Sequence, residues 1–163
     1  MIEPTTRDLQ GGELVALVER LAADPAAWRH LVSHRADART YEQLHRDDHL
    51  AVWLICWMND HDTGFHDHDL SAGALTVVQG AVREERLVLG GEPAARTVGE
   101  GQSLAFDAAD IHRVSHAGSV PAVTLHAYSP PLWRMGAYEV LPGGRLQRHS
   151  LSYAEELRPL AAA

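Results

Sequence analysis

The chain has 163 residues, room for one domain and too little for two comfortable ones. Its composition, 45% hydrophobic and 22% charged, is ordinary globular composition and excludes a disordered, collagen-like or coiled-coil architecture. Fourteen Lys and Arg against 22 Asp and Glu leave a formal charge of −8, the wrong sign for a protein that neutralises nucleic-acid phosphates. The single cysteine, Cys56, allows no internal disulfide. The first residues show no apolar core behind a basic flank, and no run of about 18 apolar residues exists. A cytoplasmic protein without a membrane span is therefore expected. The unusual number is 11 histidines, most of them between His45 and His126.

Glu13 to Ala23 sets Leu14, Val15, Val18, Leu21 and Ala22 on one face near the 3.6-residue period, which predicts a helix. Asp24 and Pro25 then read as an N-cap and a first helical position. They open a second short helix, roughly Pro25 to Val32, that would bury Trp28 and Leu31. Both helices are expected to cover one side of the main body. From Leu50 to Trp57 (LAVWLICW) the pattern becomes a continuous apolar run rich in β-formers. Further strands are predicted at Ala74–Gln79, Ala81–Leu89, Ser103–Phe106, His112–Ser115 and Ala122–Tyr128. Turn signals separate them, at Gln79-Gly80, Gly90-Gly91-Glu92-Pro93, Gly99-Glu100-Gly101 and Ala117-Gly118. Many short strands with few helices among them indicate a sandwich or a barrel. The remainder is broken by Pro130, Pro131, Gly143 and Gly144, and Tyr153 to Leu160 reads as a tail strand or short helix.

His66-Asp67-His68 is the strongest local signal. Residues i and i+2 of a strand point to one face, so two imidazoles about 6–7 Å apart at their Cα atoms can converge on one ion. Imidazole suits iron, nickel, copper or zinc. His112, after the Asp-rich turn Phe-Asp-Ala-Ala-Asp-Ile, supplies a third ligand. No glutamate occurs between His68 and Gly80, and Asp69 is expected to face away from the two histidines. Three neutral imidazoles leave a divalent ion its full charge, which favours an anionic ligand. Thr124, His126 and Tyr128 alternate on one strand face, where a hydroxyl, an imidazole and a phenol can hold one another by hydrogen bonds.

Gly-Phe-His66-Asp-His68, Val78-Gln-Gly80 and Ile-His112-Arg-Val resemble the two motifs of the cupin superfamily. Together with Cys56-Trp57 and Pro121-Ala-Val-Thr-Leu-His-Ala-Tyr-Ser-Pro-Pro131, they look like the cysteine dioxygenase family of thiol dioxygenases. The resemblance runs from about Arg39 to Pro131, and the Thr-x-His-x-Tyr-Ser-Pro-Pro stretch is its most specific part. It implies a mostly β fold, a cupin double-stranded β-helix (jelly-roll barrel) with two or so N-terminal helices. The whole of 1–163 is then one domain: a helical cover over 1–38, the catalytic barrel over 39–131, and C-terminal strands and a tail over 132–163.

The resemblance also implies an Fe(II) site of His66, His68 and His112, with O₂ as co-substrate and a small thiol such as L-cysteine oxidised to its sulfinic acid. Tyr128, supported by His126 and Thr124, would position substrate and oxygen, and Ser129-Pro130 would be a cis peptide. Animal members carry a cysteine, cross-linked to the tyrosine, where this chain has Gly73; that matches the bacterial branch. The family's carboxylate-binding arginine aligns with Gln43, and members with glutamine there tend towards 3-mercaptopropionate. Arg39 and Arg46 are nearby substitutes, since an arginine grips a carboxylate bidentately. Other metal cupins usually keep the missing glutamate, and a non-catalytic metal or ligand sensor has no need of the Thr-His-Tyr strand. Cys56 reads as a small core residue, and His45, His49, His61 and His116 as surface or pocket-rim residues. A monomer is expected.

Overall fold

A computed structural model describes residues 2–88, 90–142 and 144–152. Among these, helix α1 (Gly11–Ala22) precedes eleven strands: β1 (Thr40–Arg46), β2 (Ala51–Trp57), β3 (Phe65–Asp67), β4 (Ala72–Gln79), β5 (Ala81–Arg86), β6 (Ala94–Gly99), β7 (Ser103–Phe106), β8 (His112–Ala117), β9 (Ala122–Ser129), β10 (Arg134–Leu141) and β11 (Arg145–Ser152). Every pairing is antiparallel. One sheet runs β1-β2-β9-β4-β7 and the other β11-β10-β3-β8-β5-β6. The two sheets form the double-stranded β-helix that the sequence motifs imply.

The central strands β2, β9 and β4 of the five-stranded sheet are buried on both faces, which explains the continuous apolar run of β2. Its inner face contributes Ile55, Trp57, Leu75, Val77 and Tyr128 to the barrel core. On its outer face, Leu14 and Val18 of α1 pack against Val52, Ala74 and Ala127. Trp28 covers Leu54, Cys56, Val123 and Leu125 beside them, so Cys56 is a buried core residue. Gly80, between β4 and β5, has φ +70°, and a Cβ there would stand 2.8 Å from the Pro121 carbonyl oxygen. The Gln79-Gly80 turn therefore requires glycine.

Three expectations change. The second helix is two 3₁₀ turns, Pro25–Ala27 and Arg29–Leu31, separated by Trp28 at φ −140°. Asp24 makes no side-chain cap bond, while the Trp28 indole donates to the Leu21 carbonyl at 3.1 Å, so tertiary anchoring outweighs helix propensity. Trp28 is buried as expected, but Leu31 is only half-buried. The predicted Ala81–Leu89 strand ends at Arg86, where its pairing with β6 ends at Ala94. The polar strand β6 gives no alternating signal, because four of its six residues are exposed. The chain after Pro131 forms the β10–β11 hairpin, and the predicted element at Tyr153 to Leu160 lies outside the described residues.

Candidate metal centre

His66 stands opposite His112 in the β3–β8 register, and His68 follows just beyond β3. The three candidate ligand atoms lie within 4.8 Å of one another, and all three residues are buried. Ring centroids are 4.8, 4.8 and 5.0 Å apart, nearly an equilateral triangle. Asp67, between the two histidines, faces the other way. It accepts from Gly136 N–H at 3.0 Å, from the Tyr138 hydroxyl at 2.6 Å and from Arg148 at 2.7 and 2.9 Å. Burial opposes its charge, but these bonds outweigh it and hold the carboxyl down at about 2. Strand alternation thus aims the histidines inward while the hairpin clamps the aspartate outward. Asp69 takes a left-handed turn conformation, φ 56°, and pairs with Arg134 at 3.0 Å.

The donor set fits a divalent metal ion. His66 Nδ1–H donates to the Gly64 carbonyl at 3.0 Å, and His112 Nδ1–H to Glu84 at 3.2 Å, leaving Nε2 of each as a lone-pair donor. Both ring nitrogens of His68 are buried without a hydrogen-bond partner. A buried unsatisfied imidazole is costly, and a metal ion would satisfy one of its two nitrogens. Burial, followed by the charge of His112, pushes His66 down to about 3; burial and the neighbouring imidazoles push His68 well below its ordinary value. The His66 and His68 rings are therefore neutral, as ligands must be. Glu84 is a carboxylate that no sequence motif singled out. It lies on β5, behind His112, and is itself held by Arg96 at 2.6 Å and Arg86 at 3.1 Å. Its place in REER, two residues before Arg86, was the only sequence signal for it.

All eight residues of β9 are buried. Val123, Leu125 and Ala127 face the helical cover, so Thr124, His126 and Tyr128 face the barrel interior. The Trp57 indole donates to Thr124 Oγ1 at 2.8 Å, Thr124 Oγ1 meets His126 Nε2 at 2.8 Å, and His126 Nδ1 meets the Tyr128 hydroxyl at 3.1 Å. Because indole only donates, the chain has two proton settings. In one, Thr124 O–H donates to Nε2, and Nδ1–H donates to the tyrosine oxygen. In the other, Nε2–H donates to Thr124, whose proton turns to the Ile55 carbonyl at 3.4 Å, and Tyr128 donates to Nδ1. His126 is neutral in both; burial, then His112 and Arg39, push it down to about 3.

One cavity is lined by His66, His112, His126 and Tyr128 together with Arg39, Tyr41, Trp53 and Trp57, and by apolar Ile55, Phe106, Val114, Leu132 and Met135. Arg39 stacks between the Trp57 ring at 5.3 Å and the Tyr41 ring at 5.5 Å. Gln43 sits opposite Trp53 in the β1–β2 register, with an exposed side chain outside that lining. It occupies an outer rung of the strand, next to a register shift before His45. Thr124 backs His126 and does not itself line the cavity. His61, expected at the surface or rim, is buried. Its Nδ1 accepts from Met58 N–H at 2.9 Å and its Nε2–H donates to Ala36 O at 3.3 Å, tying the loop after β2 to the segment leading into Arg39. Ser129-Pro130 is cis.

This fold and this triad define a cupin barrel with a three-histidine cluster that could hold a metal ion. A cupin superfamily protein from Desulfitobacterium hafniense superposes with a TM-score of 0.55 at 12% identity, covering 64% of this chain and 89% of that one. A double-stranded β-helix protein from Klebsiella pneumoniae gives 0.54 at 12% identity, covering 80% and 89%. The family model for cysteine dioxygenase type I matches residues 5–140. Cysteine dioxygenase type 1 of Danio rerio is 28% identical over 132 residues, 73% of this chain and 65% of the relative; that of Rattus norvegicus is 27% identical over 144 residues, 80% and 70%. The chain thus spans about two thirds of the length of these relatives. It belongs to the cysteine dioxygenase type I family.

Proposed function

We propose that this protein is an Fe(II)-dependent thiol dioxygenase that adds both atoms of O₂ to a small carboxylate-bearing thiol, such as L-cysteine, to give the sulfinic acid. The observation that carries this is one cavity lined by His66 and His112 of the triad, the Tyr128 end of the hydrogen-bonded chain and Arg39. Sulfur loses four electrons and one O₂ takes all four, so no further reductant is needed. His66, His68 and His112 hold the iron, which supplies the charge and the redox capacity that bring thiolate and O₂ to one place.

The protein's own part is to bind, orient and exclude water. Arg39 takes the carboxylate through its N–H edge, while its flat face is spent on Trp57 and Tyr41. Tyr128 donates a hydrogen bond to the reacting groups when His126 supplies Nδ1–H to its oxygen, the setting in which Thr124 donates to Nε2. Ile55, Val114, Leu132 and Met135 keep the cavity apolar, so these polar contacts act at low dielectric. No carboxylate is among the lining residues to receive an α-ammonium group. This supports 3-mercaptopropionate as an alternative substrate beside L-cysteine. We take the protein to act as a monomer in the cytoplasm.

The test is O₂ uptake by Fe(II)-loaded protein with L-cysteine and, separately, 3-mercaptopropionate, with sulfinate assayed. Uptake matched mole for mole by sulfinate supports the proposal, and the preferred thiol identifies the substrate. Bound iron without uptake for either thiol overturns it in favour of a metal-binding cupin that does not oxidise these thiols.

A further inference from the structure

His68 is oriented differently from its two partners. His66 and His112 each give Nδ1–H to a protein oxygen, but His68 has no such bond. Its ring instead meets aromatic faces: Phe106 stacks on it at 4.6 Å and 26°, and Tyr128 lies at 5.3 Å. Phe106 is buried and also lies 4.7 Å from His112 and 5.9 Å from Tyr128. On β4, Gly73 pairs with Phe106 on one side and with Tyr128 on the other. A Cβ added to Gly73 would stand 2.2 Å from Phe106 Cε2 and 2.4 Å from Cζ. The backbone of Gly73 has no positive φ, so its glycine serves volume and not conformation. The Phe106 ring occupies the space of a side chain at position 73. It cannot swing away without displacing His68, His112 or Tyr128, which surround it.

We propose that Phe106, seated in the space Gly73 leaves open, is the positioning residue for His68 and Tyr128. A flat ring does for His68 what a hydrogen bond does for each of the other two histidines. This rests on the reading of His68 as a metal ligand, and its primary test needs no turnover.

The test titrates Co(II) into the purified full-length chain and follows affinity and the visible ligand-field spectrum. Phe106→Leu keeps most of the volume and loses the plane; it is expected to weaken Co(II) binding about tenfold, as loss of an outer-shell partner does, and to alter the spectrum. Gly73→Ala forces the ring aside and is expected to do the same. In the Phe106→Leu background, Gly73→Ala should cost much less than in the wild type, because the ring clash is gone and only the 3.1 Å approach to the Ala127 carbonyl oxygen remains. Circular dichroism confirms that each variant folds; if Phe106→Leu does not fold, Phe106→Met and Gly73→Ala carry the comparison. Co(II) affinity and spectrum unchanged in a folded Phe106 variant, or fully additive losses in the double variant, overturn the inference. Wild-type protein that binds Co(II) but, loaded with Fe(II), oxidises no thiol overturns the proposed activity and leaves this inference standing. Wild-type protein that binds no Co(II) overturns both.

Discussion

Arg39 and Gln43 lie four residues apart at one edge of the barrel, yet only Arg39 lines the cavity. Replacing Arg39 by Gln should therefore raise KM for a carboxylate thiol by about ten- to a hundredfold, the loss of a charge-assisted bond of roughly 1.5–3 kcal/mol. Gln43→Ala should change it less than about twofold, and steady-state O₂ uptake measures both. A large effect on KM from Gln43→Ala with little from Arg39→Gln would assign the carboxylate to Gln43. Glu84 offers a second residue-scale test. Glu84→Gln keeps the shape behind His112 and removes the charge that Arg86 and Arg96 compensate. Metal affinity should fall about tenfold or more, read by competition with a chelator. Alignment of motifs pointed to position 43 because it counts residues along a strand. The cavity selects by depth, and Gln43 stands a rung further out than Tyr41.

At the scale of elements, β3 has only three residues, yet it aims two of the three candidate ligands. Its rotation is set by the Asp67 clamp to β10 and β11. Asp67→Asn should cost about 1–3 kcal/mol of stability by weakening the bonds from Arg148 and Tyr138. It should also lower metal occupancy, although it touches no ligand atom. Urea unfolding and metal analysis of the purified variant check the two effects separately; unchanged occupancy would mean that β3 holds its rotation without the clamp. The HxH pair was legible because alternation on a strand is local. The clamp was not, since Arg148 lies 81 residues away and nothing in its neighbourhood marks it as a partner. β9 shows the same contrast. Its Thr-His-Tyr alternation was visible, but only the sheet above it decided that the polar face is buried and bonded to Trp57.

For the molecule as a whole, the buried imidazoles set the pH dependence. His66 and His126 are held at about 3 in the fold against about 6.5 in an unfolded chain. Between those values the unfolded state binds protons that the folded state refuses, so stability rises with pH there and is lost on acidification. Asp67 and Glu84, both near 2 in the fold, add a further loss as pH falls below about 4. Metal-free protein should thus show falling urea midpoints from pH 7.5 to 5.5 to 4.5. Replacing His126 by Gln should flatten that slope; an unchanged slope would show that His126 does not contribute to it.

Periodicity and turn residues determined α1, most of the strands and the convergence of His66 and His68, because each depends on neighbours within a few positions. Motif likeness reached the family and the Thr-His-Tyr strand. Tertiary structure decided what depends on groups far apart in sequence: the two 3₁₀ turns in place of a second helix, Glu84 behind His112, Arg39 in the cavity, and the Phe106 ring in the space of Gly73. Each is fixed by packing and burial between strands, and a linear pattern carries no measure of which side chains meet in the interior.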